Sequence, residues 1–218
     1  MQIAIGVFPR FTALDVVGPY QVLTNLPDAE VVLCAARRGE VVDDVGLRHL
    51  DISRPSPTLR RPTWWWSQAG SSLGKMARDG DPVIEWVRAV HPHTTCTASV
   101  CTGSLLFGAA GLLAGLNATS HGIACDDLRA FGATPTVQRA VWLDKIVTAA
   151  GVSAGIDLAL AIVDRLVGPE LAQAIQLGIE YDPQPPFDAG SLSEAAPEIV
   201  DLVRVVMIDR QQRLVNAR

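Results

Sequence analysis

The sequence lacks the features that mark membrane, secreted and nucleic-acid-binding proteins. No apolar run reaches the ~20 residues of a membrane-spanning helix. The first residues, MQIAIGVFP, have neither the basic start nor the small-residue cleavage site of a signal peptide. A formal charge of -5 over 218 residues, without clustered Lys or Arg, disfavours nucleic acid or an anionic membrane as partner. We therefore expect a cytoplasmic protein that acts on a small molecule.

Cysteine and histidine are also scarce, and their spacing excludes the common metal and disulfide frameworks. The chain has four cysteines: Cys34, Cys96, Cys101 and Cys125. They form no CxxC pair, and without an export signal we expect reduced thiols. His91, His93 and Cys96 make an HxH…C pattern, but no further ligand set supports it, so we predict no metal site.

The distribution of apolar residues predicts strands that alternate with helices. Buried strands are predicted at residues 2–8, 29–36 and 94–100, with segments of helical spacing between them. This alternation favours an α/β fold with a doubly wound, mostly parallel sheet sandwiched by helices. With 49% apolar and 19% charged residues, we expect a single domain over residues 1–218, whose last helix spans about 195–212.

The segment TASVCTGSLLFGAAGLLAG places a cysteine at a predicted strand-to-helix turn. The strand ends at Val100, Cys101 occupies the turn, and a helix follows over residues 103–115. Such a turn holds its central side chain at the carboxyl edge of the sheet, in the geometry of a nucleophile elbow. Gly103 suits close packing there, and the helix N-terminus is expected to lower the pKa of Cys101 below the ~8.5 of a free cysteine. The alternative is that Cys101 is a small buried apolar residue.

Two further residues are predicted at the same edge of the sheet. Asp15 follows the first strand in an apolar context. It is either the cap of the next helix or a partly desolvated acid that hands a proton to a reacting atom. His121 follows a short strand and opens a helix, so it either approaches Cys101 as a base or caps that helix. The residues alone leave both alternatives open.

Five motifs of the chain form a set: LDVVGPYQVL, SVCTGSLLFGAAGLLAG, NATSHGIACDDLRAFGATP, TAAGVSAGIDLAL and QLGIEYDPQPPFDAGS. Together they resemble the ThiJ/PfpI superfamily, and in particular its isocyanide hydratase branch. The resemblance covers residues 1 to about 205 with one gap. The last motif and the Cys-Thr-Gly elbow are fairly specific to that branch, since many superfamily members carry His where this chain has Thr102.

The resemblance implies a flavodoxin-like sandwich of the class I glutamine amidotransferase-like type, a homodimer and no cofactor. It implies that Cys101 attacks the terminal isocyanide carbon, that Asp15 orients or protonates the adduct, and that Thr102 supports the site. Water then hydrolyses the thioimidate to an N-substituted formamide. The residues that it implies for the pocket or oxyanion region are Gly70, Gly103, His121, Gly151 and Ser153. Gly122 departs from the pattern, because related chains often place Trp there.

Other functions stay open within the same superfamily. One is a non-catalytic or redox-sensing protein in which Cys101 is oxidised to sulfenic or sulfinic acid. Another is a different hydrolase, although a glyoxalase- or amidase-like activity is disfavoured because no His follows Cys101. The sensor halves of AraC-type regulators share these motifs, but they continue into a helix-turn-helix domain, for which we expect no room in 218 residues.

The gap in the resemblance is RRPTWWWSQAGSS, residues 60–72. Family members have there a Val/Leu-rich strand and then Pro-Gly-Gly, whose backbone amides approach the cysteine. Trp has a single codon, so WWW is TGGTGGTGG; read from the last base of the Thr63 codon, it permits a run of Val codons followed by Pro-Gly-Gly. We therefore interpret residues from about 56 to 74 as a compensated frameshift, in the gene or in its reported sequence. A ligand-stacking or interface patch at Trp64–Trp66 is the alternative.

Overall fold

A seven-stranded sheet forms the centre of the protein. The computed structural model describes residues 1–46, 49–52, 54–55, 64–67 and 73–216, and for residues 49, 64–67 and 208–216 it describes the backbone alone. The strands are β1 Gln2–Gly6, β2 Glu30–Ala35, β3 Gly39–Val42, β4 His49–Ile52, β5 Arg54–Pro55, β6 Trp64–Ser67, β7 Cys96–Val100, β8 Asn117–Ala118, β9 Thr134–Pro135, β10 Ala140–Leu143 and β11 Ile146–Ala149. The α-helices are α1 Ala13–Leu23, α2 Leu73–Asp79, α3 Pro82–Val90, α4 Ser104–Ala109, α5 Ala154–Val167, α6 Pro169–Gly178 and α7 Pro197–Asn216. The 3-10 helices are His91–His93, Cys101–Gly103 and Gly122–Phe131.

The sheet has the strand order β10-β11-β7-β6-β1-β2-β5. Every neighbouring pair in it is parallel except the hairpin β10–β11. Strands β3 and β4 pair antiparallel outside this sheet, and β8 pairs with β9. Parallel neighbours need long crossover connections, which the helices supply. The predicted doubly wound α/β fold is confirmed.

Helices cover both faces of the sheet. Helices α1, α5 and α6 pack on one face and α2, α3 and α4 on the other, each around its own cluster of buried apolar side chains. The alternation of β1 shows this division, because Ile3 and Ile5 belong to the first cluster and Ala4 to the second. Leu158 of α5 and Leu106 of α4 are fully buried in the two layers, and each such side chain contributes about 1.5–3 kcal/mol.

Close contacts between α1 and α5 fix the two helices whose N-terminal ends flank the edge of the sheet near Cys101. A Cβ on Gly155 would lie 3.1 Å from Cγ of Pro19, and one on Gly18 would lie 3.0 Å from Cγ1 of Ile156. Larger side chains at these glycines would push the helices apart. The middle of α1 and the start of α5 are therefore held close together on this face.

Helix α4 is shorter than the sequence predicts. The helix expected over residues 103–115 begins as a 3-10 turn and ends as an α-helix at Ala109. Gly111 and Gly115 beyond it have φ angles of +78° and +74°. Because these angles lie in the left-handed region, the two glycines turn the chain out of the helix.

Strand β6 lies in the middle of the sheet. Its backbone pairs with β1 on one side, with Ile3 opposite Trp64, and with β7 on the other, with Cys96 opposite Trp64. The resemblance implies a valine-rich strand at this position. Residues 56–63 and 68–72, which include Gly70, lie outside the described residues. The frameshift interpretation stays a prediction.

The chain divides into two compact units, Met1–Tyr181 and Asp182–Arg218. The first carries the sheet. In the second, the hydroxyl of Ser191 donates to the carboxylate of Glu194 at 2.9 Å, ahead of helix α7. The single domain expected over residues 1–218 stays a prediction. Among the described residues, no helix combines the length and the apolar character needed to span a bilayer.

Candidate active site

Cys101 occupies a strained turn at the carboxyl end of β7. Its φ of +55° lies in the left-handed region, which residues other than glycine rarely adopt. Its backbone N–H donates to the carbonyl of Ala150 at 3.0 Å. Its carbonyl accepts from the hydroxyls of Ser120 at 3.1 Å and Ser104 at 3.3 Å. These bonds hold a conformation that costs about 1–3 kcal/mol, and strain of this kind is typical of a functional residue.

The sulfur of Cys101 is buried, with 5% of the residue exposed. Burial raises the pKa of the Cys101 thiol well above its ordinary value, and the negative charges of Asp15 and Asp44 raise it further. The backbone N–H groups of Thr102 and Val152 donate to the sulfur and act in the opposite direction. The resting side chain is therefore a protonated thiol that already contacts two donors for a thiolate.

The predicted lowering of the Cys101 pKa is wrong. It assumed a long helix directly after the cysteine, but a 3-10 turn and the six-residue helix α4 follow instead. The field of such a short helix is small. Desolvation of the thiolate and two nearby carboxylates outweigh it.

Asp15 lies in the first turn of α1 and is fully buried, with 0% exposure. It is not the N-cap of that helix, because Thr12 holds the N-cap position. The charge of Asp15 acts on Cys101, so the fold brings these two predicted residues to the same edge of the sheet. A buried acid beside a thiol has the chemical capacity to move a proton to or from a reacting atom.

Thr102 and Gly103 complete the turn. Thr102 contributes its backbone N–H to the sulfur of Cys101. Gly103 is buried and has an ordinary helical φ of -56°, so its backbone needs no glycine-specific conformation. The structure places both residues at the elbow, where the sequence predicts them.

The loop that joins β11 to α5 also lies against Cys101. It includes Gly151 and Ser153, and it supplies the carbonyl of Ala150 and the N–H of Val152 to Cys101. The hydroxyl of Ser153 accepts a hydrogen bond from Arg139 at 3.2 Å. Gly151 therefore lies between two residues that contact the cysteine.

His121 caps the helix that follows it, which is one of its two predicted positions. Its role as a base toward Cys101 stays a prediction. Its Nδ1 accepts the backbone N–H of Ile123 at 3.3 Å, which caps the 3-10 helix that follows. The ring also packs on Gly151, beside the loop that contacts Cys101. Burial lowers the pKa of His121, so the imidazole is neutral. With Nδ1 as an acceptor, the ring proton is on Nε2.

Several contributors to the site escape the sequence analysis. Ser104 and Ser120 act through hydroxyl bonds to a backbone carbonyl, and Val152 through its backbone N–H; none has a motif of its own. Asp44 follows β3 and is nearly buried, with 8% exposure. The only signal for it in the sequence is a pair of acids after an apolar strand.

The remaining histidine–cysteine pattern lies at the opposite end of β7. Nδ1 of His91 bonds to the hydroxyl of Thr97 at 2.9 Å. Burial raises the pKa of Cys96 to about 12, and that of Cys34 in β2 also to about 12. Both residues lie within strands. Within the part of the chain that the structure describes, no group of three or more His, Cys, Asp or Glu is placed to hold a metal.

The protein has a doubly wound sheet, and a cysteine lies on a strained strand-to-helix turn next to a buried acid. This combination is typical of a class of α/β proteins that carry a cysteine at the carboxyl edge of the sheet. Residues 69–165 match the DJ-1/PfpI family. The chain is 37% identical over 207 residues to the isonitrile hydratase of Pseudomonas putida, covering 94% of this chain and 89% of that relative.

Solved structures agree with this relationship. A ThiJ/PfpI family protein from Pseudomonas syringae superposes with a TM-score of 0.89 at 34% identity, over 97% of this chain and 87% of that one. Oxidized DJ-1 from Toxoplasma gondii superposes with a TM-score of 0.72 over 84% of this chain and 99% of that one; at 19% identity, this shows the fold alone. The chain belongs to the DJ-1/PfpI family, and the resemblance stated from its motifs is confirmed.

Proposed function

We propose that this protein is an isocyanide (isonitrile) hydratase that adds water to the terminal carbon of an isocyanide and releases an N-substituted formamide. The observation that carries the proposal is the geometry of Cys101, which is held at a φ of +55° beside the buried acid Asp15. Kinship with the isonitrile hydratase of Pseudomonas putida supports the substrate class. The roles of Cys101, Asp15 and Thr102 below belong to the same proposal.

The first half of the reaction forms a covalent adduct. The sulfur of Cys101 attacks the isocyanide carbon, and an S–C bond forms. The thiol proton passes through Asp15 to that same carbon, which gives a thioimidate, R–N=CH–S–Cys. The N–H groups of Thr102 and Val152 bond to the sulfur, so they stabilise the negative charge that develops on it as the proton leaves.

The second half restores the cysteine. Water adds to the thioimidate carbon while Asp15 accepts one of its protons and delivers a proton to the nitrogen. The C–S bond then breaks, the sulfur takes back a proton, and R–NH–CHO leaves. The sum is addition of one water molecule with no net oxidation or reduction, so the chemistry requires no redox cofactor.

Turnover of an aryl isocyanide by the purified protein tests the proposal. We expect loss of a para-substituted phenyl isocyanide and appearance of the matching formamide by mass spectrometry. Cys101→Ala abolishes turnover, and Asp15→Asn slows it by about 100-fold or more, as expected for a general acid or base. Cys125→Ala is the matched control, because Cys125 lies in the 3-10 helix Gly122–Phe131 and bonds only weakly to the carbonyl of Thr136, at 3.9 Å. Wild-type turnover by Cys101→Ala would overturn the proposal.

Redox sensing has less support from the same site. Peroxide reacts with thiolates, and the raised pKa of Cys101 keeps the side chain in its thiol form. We therefore expect intact mass to show little oxidation of Cys101 after mild peroxide. Rapid addition of one or two oxygen atoms, together with no isocyanide loss, would favour the sensor instead.

The proposal includes the homodimer that the family resemblance implies. Leu14, Val17 and Tyr20 follow one another at a spacing of three on α1, and they are 40%, 46% and 39% exposed. An apolar stripe of this kind on a helix is typical of a protein–protein interface. Light scattering of the purified protein at the mass of two chains is the expected result.

A further inference from the structure

A second buried carboxylate, Asp44, lies near the edge of the sheet that Cys101 and Asp15 occupy. Its segment follows β3 and is joined by backbone bonds to the chain between β1 and α1. The N–H of Arg10 donates to the carbonyl of Val42 at 2.7 Å, and the N–H of Asp44 donates to the carbonyl of Phe11 at 2.9 Å. Phe11 is itself fully buried, so this junction is part of the core.

The side chain of Asp44 is bonded to the N-cap residue of α1. The hydroxyl of Thr12 donates to Oδ2 of Asp44 at 3.2 Å. A threonine at an N-cap usually accepts a helix N–H, which is worth about 1 kcal/mol. Thr12 makes no such capping bond, so its hydroxyl serves Asp44. Asp15 lies in the helical turn that Thr12 begins, and the N–H of Asp15 donates to the carbonyl of Thr12 at 3.1 Å.

The charges around Cys101 come from separate elements. Asp15 on α1 and Asp44 after β3 both raise the pKa of the thiol, in addition to the larger effect of burial. His121, ahead of the 3-10 helix Gly122–Phe131, is kept neutral because burial lowers its pKa. The loop ahead of α5 contributes the N–H of Val152 to the sulfur. Among the described residues, Asp15 and Asp44 are thus the negative groups whose charges act on the thiol.

We propose that Asp44 is a positioning residue of the Cys101 site, which holds the first turn of α1 and Asp15 in place through Thr12 and applies its own negative charge to the sulfur. This deepens the proposed function, because it rests on Cys101 as the nucleophile. It does not depend on which isocyanide is the substrate. Nothing in the motif set points to Asp44.

The rate of Cys101 alkylation by iodoacetamide tests this role without any substrate. Peptide mass spectrometry measures the modified Cys101 separately from the other cysteines, at a series of pH values in wild type and variants. Asp44→Asn removes one negative charge near the thiol, so we expect alkylation at pH 8 to be about 3- to 10-fold faster. A purely structural role for Asp44 would not move the pH dependence of the folded protein in this direction.

Two matched pairs of variants sharpen the experiment. Asp43→Asn changes the neighbouring buried carboxylate, which accepts the N–H of Val45 at 3.2 Å, and we expect wild-type alkylation. Thr12→Val removes the hydroxyl that holds Asp44, and we expect faster alkylation. Thr12→Ser keeps the hydroxyl, and it should restore the wild-type rate.

The outcomes separate this proposal from the proposed function. A folded Asp44→Asn variant that alkylates at the wild-type rate overturns the role of Asp44, as does an equal acceleration in Asp43→Asn. If Asp44→Asn does not fold, the Thr12→Val and Thr12→Ser pair decides, and equal rates in the two overturn the proposal. If the alkylation rates shift as expected but no isocyanide is consumed, the role of Asp44 at Cys101 stands and the hydratase function fails.

Discussion

The imidazole of His121 lies directly against Gly151. A Cβ built on this glycine would be 2.6 Å from Cδ2 and 3.3 Å from Nε2 of the ring. The neighbours of Gly151 in the chain are Ala150 and Val152, which both bond to Cys101. Any side chain at position 151 therefore moves either the histidine or the loop that contacts Cys101.

Gly151→Ala tests this contact. The added methyl overlaps the His121 ring, so we expect the free energy of unfolding to fall by about 1–3 kcal/mol and isocyanide turnover to fall with it. Urea denaturation measures the first effect. Gly178→Ala is the matched control, because a Cβ at the end of α6 meets nothing within 4 Å, and it should leave both quantities unchanged. Similar results for the two alanines would show that the site tolerates a side chain at 151.

A hydrogen-bonded chain supports the start of α5 from outside the site. Arg139 donates through Nε to Asp157 at 2.6 Å, and the hydroxyl of Tyr181 donates to the same carboxylate at 2.8 Å. Arg139 also bonds to Ser153, next to Val152. Burial raises the pKa of Tyr181, and its bond to Asp157 and the charge of Asp157 add to that rise.

The titration of Tyr181 reports on this chain. Tyr20 and Tyr181 are the two tyrosines of the sequence, so the tyrosinate absorbance of Tyr181→Phe identifies the contribution of Tyr181 by difference. Asp157→Asn removes a negative charge that opposes ionisation, so the midpoint for Tyr181 should move to lower pH. Loss of the hydroxyl bond in Tyr181→Phe should cost about 0.5–1.5 kcal/mol of stability. An unchanged midpoint in Asp157→Asn would contradict the role of Asp157.

The tryptophans of β6 can be exchanged for the valines that the shifted reading frame permits under the frameshift interpretation. A strand paired on both sides and covered by helices on both faces favours β-branched residues. We expect the combined variant Trp64→Val, Trp65→Val and Trp66→Val to unfold at higher temperature, with about 1–3 kcal/mol regained for each relieved misfit.

A tryptophan elsewhere in the sheet provides the control for that exchange. Trp142 in β10 packs under Arg165, with the guanidinium carbon 4.8 Å from the ring centre, so Trp142→Val should lower the melting temperature. The nucleotide sequence gives an independent test of the frameshift. Bases around the Trp64–Trp66 codons that cannot encode Val or Pro-Gly-Gly in the shifted frame would exclude it.

The sequence predicts those parts of the molecule that depend on neighbouring residues. The strands at β1, β2 and β7 follow from short apolar runs, and the elbow at Cys101 follows from a strand that meets a helix. The early end of α4 is harder, because Gly111 and Gly115 fit inside a buried helix by composition, and only their positive φ shows that they terminate it.

The properties of the site that depend on distant segments could not be predicted. The pKa of Cys101 is raised by burial first, then by the charge of Asp15, and to a smaller extent by that of Asp44, which comes from a hairpin 57 residues earlier in the numbering. His121 and Gly151 lie on two different loops, and they contact each other only in the folded chain. Local spacing carries no information about either relationship.

The central position of β6 links the tryptophan segment to the relative placement of Asp15 and Cys101. In the strand order, β6 is the sole link between the half of the sheet that ends in β1, from which Asp15 follows, and the half that contains β7, from which Cys101 follows. Asp15 and Cys101, the proposed proton donor and nucleophile, are thus anchored on opposite sides of one strand. A change in the width or alignment of that strand therefore changes the separation of Asp15 and Cys101, although none of its residues takes part in the proposed chemistry.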